Sequence, residues 1–191
     1  MPRFSQNFLI WPSIREKIVS SLHLKKTDRL LEIGPGKGFL TKALLEKAFV
    51  SAVERDPLLL PYLQDLPLDL YLEDILSFPL DSISFNKIVS NIPYHITKPL
   101  LTKIAMFQKF DLAVFMVQKE VADKLSAPYP DTFFTAKMQA MLKIRYLLTV
   151  SKQAFCPSPK VVSAVIEVKP CTNLLANENT LKILQKLFSY K

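Results

Sequence analysis

The sequence predicts an α/β fold: a mostly parallel seven-stranded sheet with an antiparallel edge hairpin and helices on both faces. Three observations predict it. Short β-rich apolar runs alternate with helical stretches from residue 29 to residue 126, and such alternation implies parallel strands joined by crossover helices. All three glycines of the 191-residue chain, Gly34, Gly36 and Gly38, lie together between a strand-like run and a helix-like run. Past residue 130, two β-rich runs are joined by a proline-rich loop, which fits an antiparallel hairpin closing one sheet edge.

The elements follow in order. After Pro12, the segment Ser13-Ile-Arg-Glu-Lys-Ile-Val-Ser-Ser-Leu22 has a helical start signal and apolar residues at helical spacing. Strands are expected at 29–33, 50–54, 68–72, 87–90 and 112–117, with helices at 39–47, 58–65, 98–107 and 119–126. A helix at 133–142 leads into a strand at 143–150, whose partner is 161–168. From Thr180 a new amphipathic pattern begins (Leu181, Ile183, Leu184, Leu187, Phe188). Residues 1–170 therefore read as one domain. Residues 171–191 read as a linker and the start of a truncated C-terminal helical domain.

Composition narrows the function classes. With 49% apolar residues the chain buries one substantial core. No apolar run approaches the roughly 18 residues of a membrane helix, and the start, Met1-Pro-Arg-Phe-Ser-Gln-Asn-Phe-Leu-Ile-Trp-Pro12, is too short and interrupted for a signal peptide. Cys156 and Cys171 lack ligand-like spacing, so no metal site is expected. A cytoplasmic protein without a membrane partner is the expectation. The formal net charge of +8 points to a polyanionic partner, nucleic acid foremost, with solubility as the plainer alternative.

The glycine window, Leu31-Glu-Ile-Gly-Pro-Gly-Lys-Gly-Phe39, has the strand-turn-helix form in which a helix start faces a ligand. Its G-x-G-x-G spacing departs from the dinucleotide fingerprint G-x-G-x-x-G, and a plain tight turn remains an alternative at this point. Two acids favour a nucleoside-bearing ligand. Glu54 ends the second strand, twenty residues past Gly34, where a carboxylate can accept ribose hydroxyls. Asp74 follows the third strand, placed to accept from an adenine amine.

The fourth strand runs into Asn91-Ile-Pro-Tyr94, which suits methylation of an exocyclic base amine. The lone pair of adenine's 6-amino group is delocalised into the ring, so the nitrogen is a poor nucleophile. The Asn91 side-chain oxygen and the Ile92 carbonyl can hold both amine hydrogens and favour a tetrahedral nitrogen. Pro93 biases Ile92 to an extended conformation, and Tyr94 offers a face for stacking the base. Once methylated, the cationic amine is acidic enough to lose its proton without a general base. Catalysis then rests on alignment and fixed acceptors. An ordinary Asn–Pro turn is the alternative for this tetrapeptide taken alone.

With these motifs in order, the chain resembles the ribosomal RNA small-subunit adenine dimethyltransferases, Rossmann-like class I S-adenosylmethionine-dependent methyltransferases, nearly end to end. Gln6-Asn-Phe-Leu9 resembles the family's N-terminal motif, Glu32-Ile-Gly-Pro-Gly-Lys-Gly38 its glycine loop, and Phe155-Cys-Pro-Ser-Pro-Lys-Val161 its F-x-P-x-P-x-V loop. The resemblance implies S-adenosyl-L-methionine as cofactor, held by Asn7, Leu9, Gly34, Gly36, Glu54, Asp74 and Asn91. It implies catalysis at Asn91, Ile92, Pro93 and Tyr94, base stacking by Tyr94 and Phe155, and an RNA contact at Lys160. The implied reaction is dimethylation of two adjacent adenosines near the 3′ end of small-subunit (16S) rRNA, within the immature 30S particle and coupled to its maturation, by a monomer. Phe115-Met-Val-Gln-Lys-Glu-Val-Ala-Asp-Lys-Leu125 and Thr97-Lys-Pro-Leu-Leu101 favour this branch over the large-subunit enzymes that confer antibiotic resistance. A ribosome-assembly RNA-binding protein with incidental methylation is a further alternative. A dinucleotide oxidoreductase would leave residues 91–94 unexplained. Ser5 and Pro130 stand where the family often has glycine.

Overall fold

The computed structural model describes residues 7–171 together with 186 and 188. A short strand β1 (Phe8–Leu9) precedes helix α1 (Pro12–Ser21) and strand β2 (Arg29–Ile33). Then come α2 (Phe39–Leu45), β3 (Phe49–Glu54), β4 (Asp69–Leu72), β5 (Lys87–Asn91), α3 (Thr97–Phe107) and β6 (Leu112–Gln118). Helices α4 (Lys119–Ser126) and α5 (Phe133–Met141) lead to β7 (Leu142–Val150), β8 (Phe155–Cys156) and β9 (Ser163–Pro170). Seven strands form one sheet in the order β4-β3-β2-β5-β6-β9-β7, while β1 and β8 pair separately. Strands β2 to β6 are parallel, and β9 runs antiparallel to both β6 and β7. This is the predicted arrangement, hairpin included.

The central strands are nearly continuously apolar because both faces of the sheet are covered. Alternate residues serve alternate cores. Leu31, Ile33, Ile88 and Phe115 pack with α3, α4 and α5 on one side. Leu30, Val89, Val114 and Met116 pack with α1 and α2 on the other. Helix α5 starts at Thr132, whose hydroxyl accepts from the Thr135 N–H while the Thr135 hydroxyl accepts from the Thr132 N–H, a reciprocal cap that satisfies two exposed donors.

One expected helix takes another form. The segment expected as a helix over 58–65 is a 3-10 helix, Pro57–Tyr62, with Pro61 inside it. Proline lacks the N–H an α-helix needs there, so the turn closes tightly and stops. The expected helix 39–47 ends at Leu45, and the last strand runs Ser163–Pro170 rather than 161–168. Within the proline-rich loop, a 3-10 turn (Lys152–Ala154) and β8 bring added structure. The pattern beginning at Thr180 and the expected start of a C-terminal domain fall outside the described residues, save positions 186 and 188. No helix among the described residues is long and apolar enough to cross a membrane.

The amino-terminal ends of the central strands are locked by a buried polar network. Lys87 Nζ donates to the carbonyls of Leu22 (2.7 Å) and His23 (2.8 Å) and lies 3.1 Å from the Asp28 carboxylate. Asp28 also accepts from Asn86 Nδ2 (2.8 Å) and the Lys25 N–H (2.7 Å). Burial pushes the Asp28 carboxyl up, but these donors and the Lys87 charge outweigh it and hold it below its ordinary value. Lys87→Ala leaves the carboxylate and two carbonyls without their cation. Breaking a buried pair of this kind costs about 3–5 kcal/mol. Denaturant unfolding is expected to show that loss, with the depth of the cavity at the opposite strand ends unaltered in the folded fraction.

Candidate active site

The parallel register places three of the expected site residues in one row. Ile33 of β2 is level with Val53 of β3 and with Ser90 of β5, so the next positions, Gly34, Glu54 and Asn91, emerge together at the carboxyl edge. The Gly34 N–H donates to the Val53 carbonyl (2.9 Å), and Ser90 Oγ donates to the Ile33 carbonyl (2.7 Å). A cavity of about 500 Å³ opens over this edge, within the range of about 300–1,000 Å³ common to small-molecule sites. Its wall includes residues 7–10, 34–37 and 90–94, with Glu32, Glu54 and Cys156.

The glycine turn is built for close approach. All three glycines have positive φ: 69° at Gly34, 61° at Gly36 and 76° at Gly38, a region that side chains disfavour. Among the described residues, its chain neighbours aside, no atom lies within 4 Å of where a Gly34 Cβ would project, so the bare backbone opens on the cavity. A Gly36 Cβ would instead meet the Phe8 ring at 3.2 Å. Gly38 begins α2 as its left-handed N-cap residue.

The amino-terminal segment crosses the cavity as a strap. Phe8 and Leu9 pair with Cys156 and Phe155, and the Ile10 N–H donates to the Ala154 carbonyl (2.8 Å). Lys37 Nζ lies 4.9 Å from the Phe8 ring centroid and 5.5 Å from that of Tyr62. This cation joins the strap to the glycine turn and the 3-10 helix. Asn91 Nδ2 donates to the Asn7 carbonyl (3.0 Å).

That last contact orients the amide. With its nitrogen committed to the strap, the Asn91 oxygen remains as the acceptor of a side chain that lines the cavity. The Ile92 N–H donates to the Met116 carbonyl (3.0 Å), and no described residue donates to the Ile92 carbonyl. The Tyr94 hydroxyl is hydrogen-bonded to Ser163 Oγ at 2.7 Å, fixing the ring against β9. His95, beside this turn, is exposed. Glu54 is 6% exposed and accepts three backbone N–H bonds: Arg55 and Asp56 at Oε1 (2.9 Å each) and Gly36 at Oε2 (3.1 Å). A carboxylate offers about four lone-pair directions, so one further donor from a ligand completes its set.

Three expected site residues stand apart from the cavity wall. Asp74 is drawn into its own turn: Oδ1 accepts from the Leu76 N–H (2.9 Å) and Oδ2 lies 3.1 Å from Arg55 Nη1. Phe155, expected to stack on a base, is 4% exposed and packs in the core with Leu9 and Val150. Its neighbour Cys156 takes the place on the wall, because successive strand residues face opposite ways. Lys160 is exposed on the proline loop, and its carbonyl accepts from Lys152 Nζ. Gln6, in the amino-terminal motif, lies outside the described residues.

Sequence reasoning also passed over Phe8, Lys37 and Ser163, whose roles depend on contacts distant in the chain. Glu32 carried a signal: an acid within the apolar strand Arg29-Leu-Leu-Glu-Ile33 needs a reason. Its side chain is buried and Oε2 has no hydrogen-bond partner. Burial pushes the carboxyl up to about 8; the Thr41 hydroxyl opposes the rise and the Glu54 charge adds to it.

The wall thus combines a bare glycine turn, a carboxylate with an open lone pair, and a buried acid whose Oε2 has no partner among the described residues. The family model for ribosomal RNA adenine dimethylase matches residues 1–190. The ribosomal RNA small subunit methyltransferase A of Mesomycoplasma hyopneumoniae (strain 232) is 40% identical over 200 residues, covering 99% of this chain and 77% of the relative. That of Crocosphaera subtropica is 37% identical over 213 residues, covering 98% and 77%. Among solved structures, a dimethyladenosine transferase from Plasmodium falciparum superposes with a TM-score of 0.87 at 27% identity, covering 96% of this chain and 71% of that one. The 23S rRNA methyltransferase ErmE gives 0.81 at 25% identity, covering 96% and 78%. The chain belongs to the ribosomal RNA adenine dimethylase family of S-adenosylmethionine-dependent enzymes.

Proposed function

We propose that the chain dimethylates the 6-amino groups of two adjacent adenosines near the 3′ end of small-subunit rRNA. The observation that carries this reading is residues 91–94 at the end of β5, with the Asn91 oxygen and Ile92 carbonyl left as acceptors beside the glycine cradle. The small-subunit assignment draws on relatives bearing the name ribosomal RNA small subunit methyltransferase A. In cells the partner is the rRNA of the immature 30S particle, met by a cytoplasmic monomer.

S-adenosylmethionine, when bound, supplies an electrophilic methyl group on a sulfonium centre. The chain's residues position and polarise. Gly34 and Gly36 hold backbone close to the cofactor, Asn7 and Leu9 close the strap over it, and Glu54 accepts from its ribose. Asn91 and the Ile92 carbonyl take the amine hydrogens, concentrating electron density on nitrogen. Tyr94, pinned by Ser163, presents a fixed face to the base, so less freedom is lost on docking. Asp74, with one donor at each oxygen and its side chain partly exposed, keeps lone pairs for an adenine amine, whereas Phe155 would reach a base only by leaving its core position. Lys152 and Lys160, on the proline loop that brings Cys156 to the cavity, contribute phosphate contacts, so rRNA affinity should weaken steeply with salt.

The deciding experiment is methyl transfer from labelled cofactor to unmethylated small subunits, with large subunits in parallel, followed by mapping of the modified bases. Two adjacent dimethyladenosines in small-subunit rRNA support the proposal; label confined to the large subunit overturns it. Asn91→Ala is expected to lower turnover by about two to three orders of magnitude while leaving rRNA binding in place; single-turnover kinetics and filter binding separate the two. Tyr94→Phe keeps the stacking face and loses the Ser163 bond, so most activity should remain, whereas Tyr94→Ala should lose it. Glu54→Ala should weaken cofactor binding roughly ten- to hundredfold, read by isothermal titration. Phe155→Ala, by emptying a core position, should lower stability by about 3–5 kcal/mol, read by denaturant unfolding.

A further inference from the structure

Glu32 is expensive to the fold, and its Oε2 has no hydrogen-bond partner among the described residues. Its strand needs an apolar residue at this position, yet the side chain is an acid, 2% exposed, with Oε2 unpartnered in the cavity wall. The groups around it come from every neighbouring element. Strand β3 supplies Glu54, a like charge whose oxygens are taken mainly by backbone N–H groups. Helix α2 supplies the buried Thr41 hydroxyl and, toward solvent, Lys42. Strand β5 supplies Ser90, whose hydroxyl is committed to the Ile33 carbonyl. Arg15 of α1 lies over the Phe39 ring, and Lys37 lies over Phe8. None of these makes an ion pair with Glu32.

An acid so placed is neutral unless a cation joins it. The two forms of the cofactor share an α-ammonium and differ in net charge. S-adenosylmethionine carries a sulfonium charge in addition to its amino-acid zwitterion; the demethylated product, S-adenosylhomocysteine, does not. We propose that Glu32 reads the charge of the ligand in the cofactor cavity: its carboxyl is protonated in the free enzyme and releases that proton to solvent when the sulfonium form binds. The inference rests on the assignment of this cavity to S-adenosylmethionine. Proton and charge balance simply. One proton leaves as the cation enters, and after methyl transfer removes the sulfonium charge, Glu32 takes a proton back. The wall then carries no excess negative charge around the neutral product. Glu32 is therefore a specificity residue, favouring the charged cofactor over its product more strongly as pH rises.

Calorimetric titration at pH 7 in two buffers of different ionisation enthalpy counts the protons. The wild-type chain is expected to release on the order of one proton with S-adenosylmethionine and clearly less with S-adenosylhomocysteine. Glu32→Gln keeps the shape, lacks the ionisable group, and should lose that difference while still binding both ligands. Because burial raises the native carboxyl above its unfolded value, wild-type stability falls as pH rises from about 4.5 to about 8. The Gln variant escapes that fall and should melt higher at pH 8. A second measurement needs no variant: wild-type affinity for S-adenosylmethionine should strengthen by up to about tenfold per pH unit below pH 8 and level off above. Equal proton release by wild type and variant, equal release with the two ligands, or a wild-type affinity ratio between them that is flat across this range overturns the proposal. Failure of the wild-type chain to bind S-adenosylmethionine at all overturns the cofactor assignment, a result distinct from binding without proton release.

Discussion

The parallel register of β3, β2 and β5 is the constraint on which the site depends. It brings three chain segments to their ends at the same height, so Glu54, Gly34 and Asn91 emerge in one row. A parallel sheet aligns strand ends of like polarity, and crossover helices keep the edge above them open. The polar lock at the other end, around Lys87 and Asp28, stops these strands from sliding. A one-residue slip would turn every side chain to the opposite face and disperse the row.

On this edge, short-range geometry and long-range contact divide the work. The glycine turn is local: three left-handed residues in five positions let backbone pass where side chains would intrude. Asn91 and Tyr94, by contrast, are held by partners far away in the chain, Asn7 and Ser163. Each bond occupies one polar atom of the side chain, the Asn91 nitrogen and the Tyr94 hydroxyl. The Asn91 nitrogen is occupied and its oxygen is not; the Tyr94 hydroxyl is tied down and its ring face is held in place.

What was legible in the sequence was what periodicity and local chemistry control. Alternating runs disclosed the sheet, the three clustered glycines disclosed the turn, and strand-end placement marked Glu54 and Asn91. The apolar spacing over 58–65 suits an α-helix, but Pro61, inside the turn, has no N–H to give one, and the segment closes as a 3-10 helix at Pro57–Tyr62. Phe155 and Asp74 show a different limit. Motif position says which segment approaches a site, but the facing of a residue within it depends on pairing that periodicity cannot supply. Thus the β1–β8 pair turns Phe155 inward and Cys156 outward, and Asp74 pairs with Arg55 across its own turn. Glu32 was written in plain view as an acid in an apolar strand, and only its burial without a partner reveals why it stands out.

The strap has a consequence for the order in which the molecule is made. Asn7 meets Asn91 across 84 positions of chain, and the Leu9–Phe155 pairing joins segments farther apart still. Loops of that size close at an entropic cost that is recovered only once the sheet beneath is assembled. During synthesis the first residues must therefore wait for the proline loop to leave the ribosome before their groove exists. Until residues 155–156 are in place, Phe8 and Leu9 have no strand to pair with, so this edge of the cavity is among the last parts of the described fold to close.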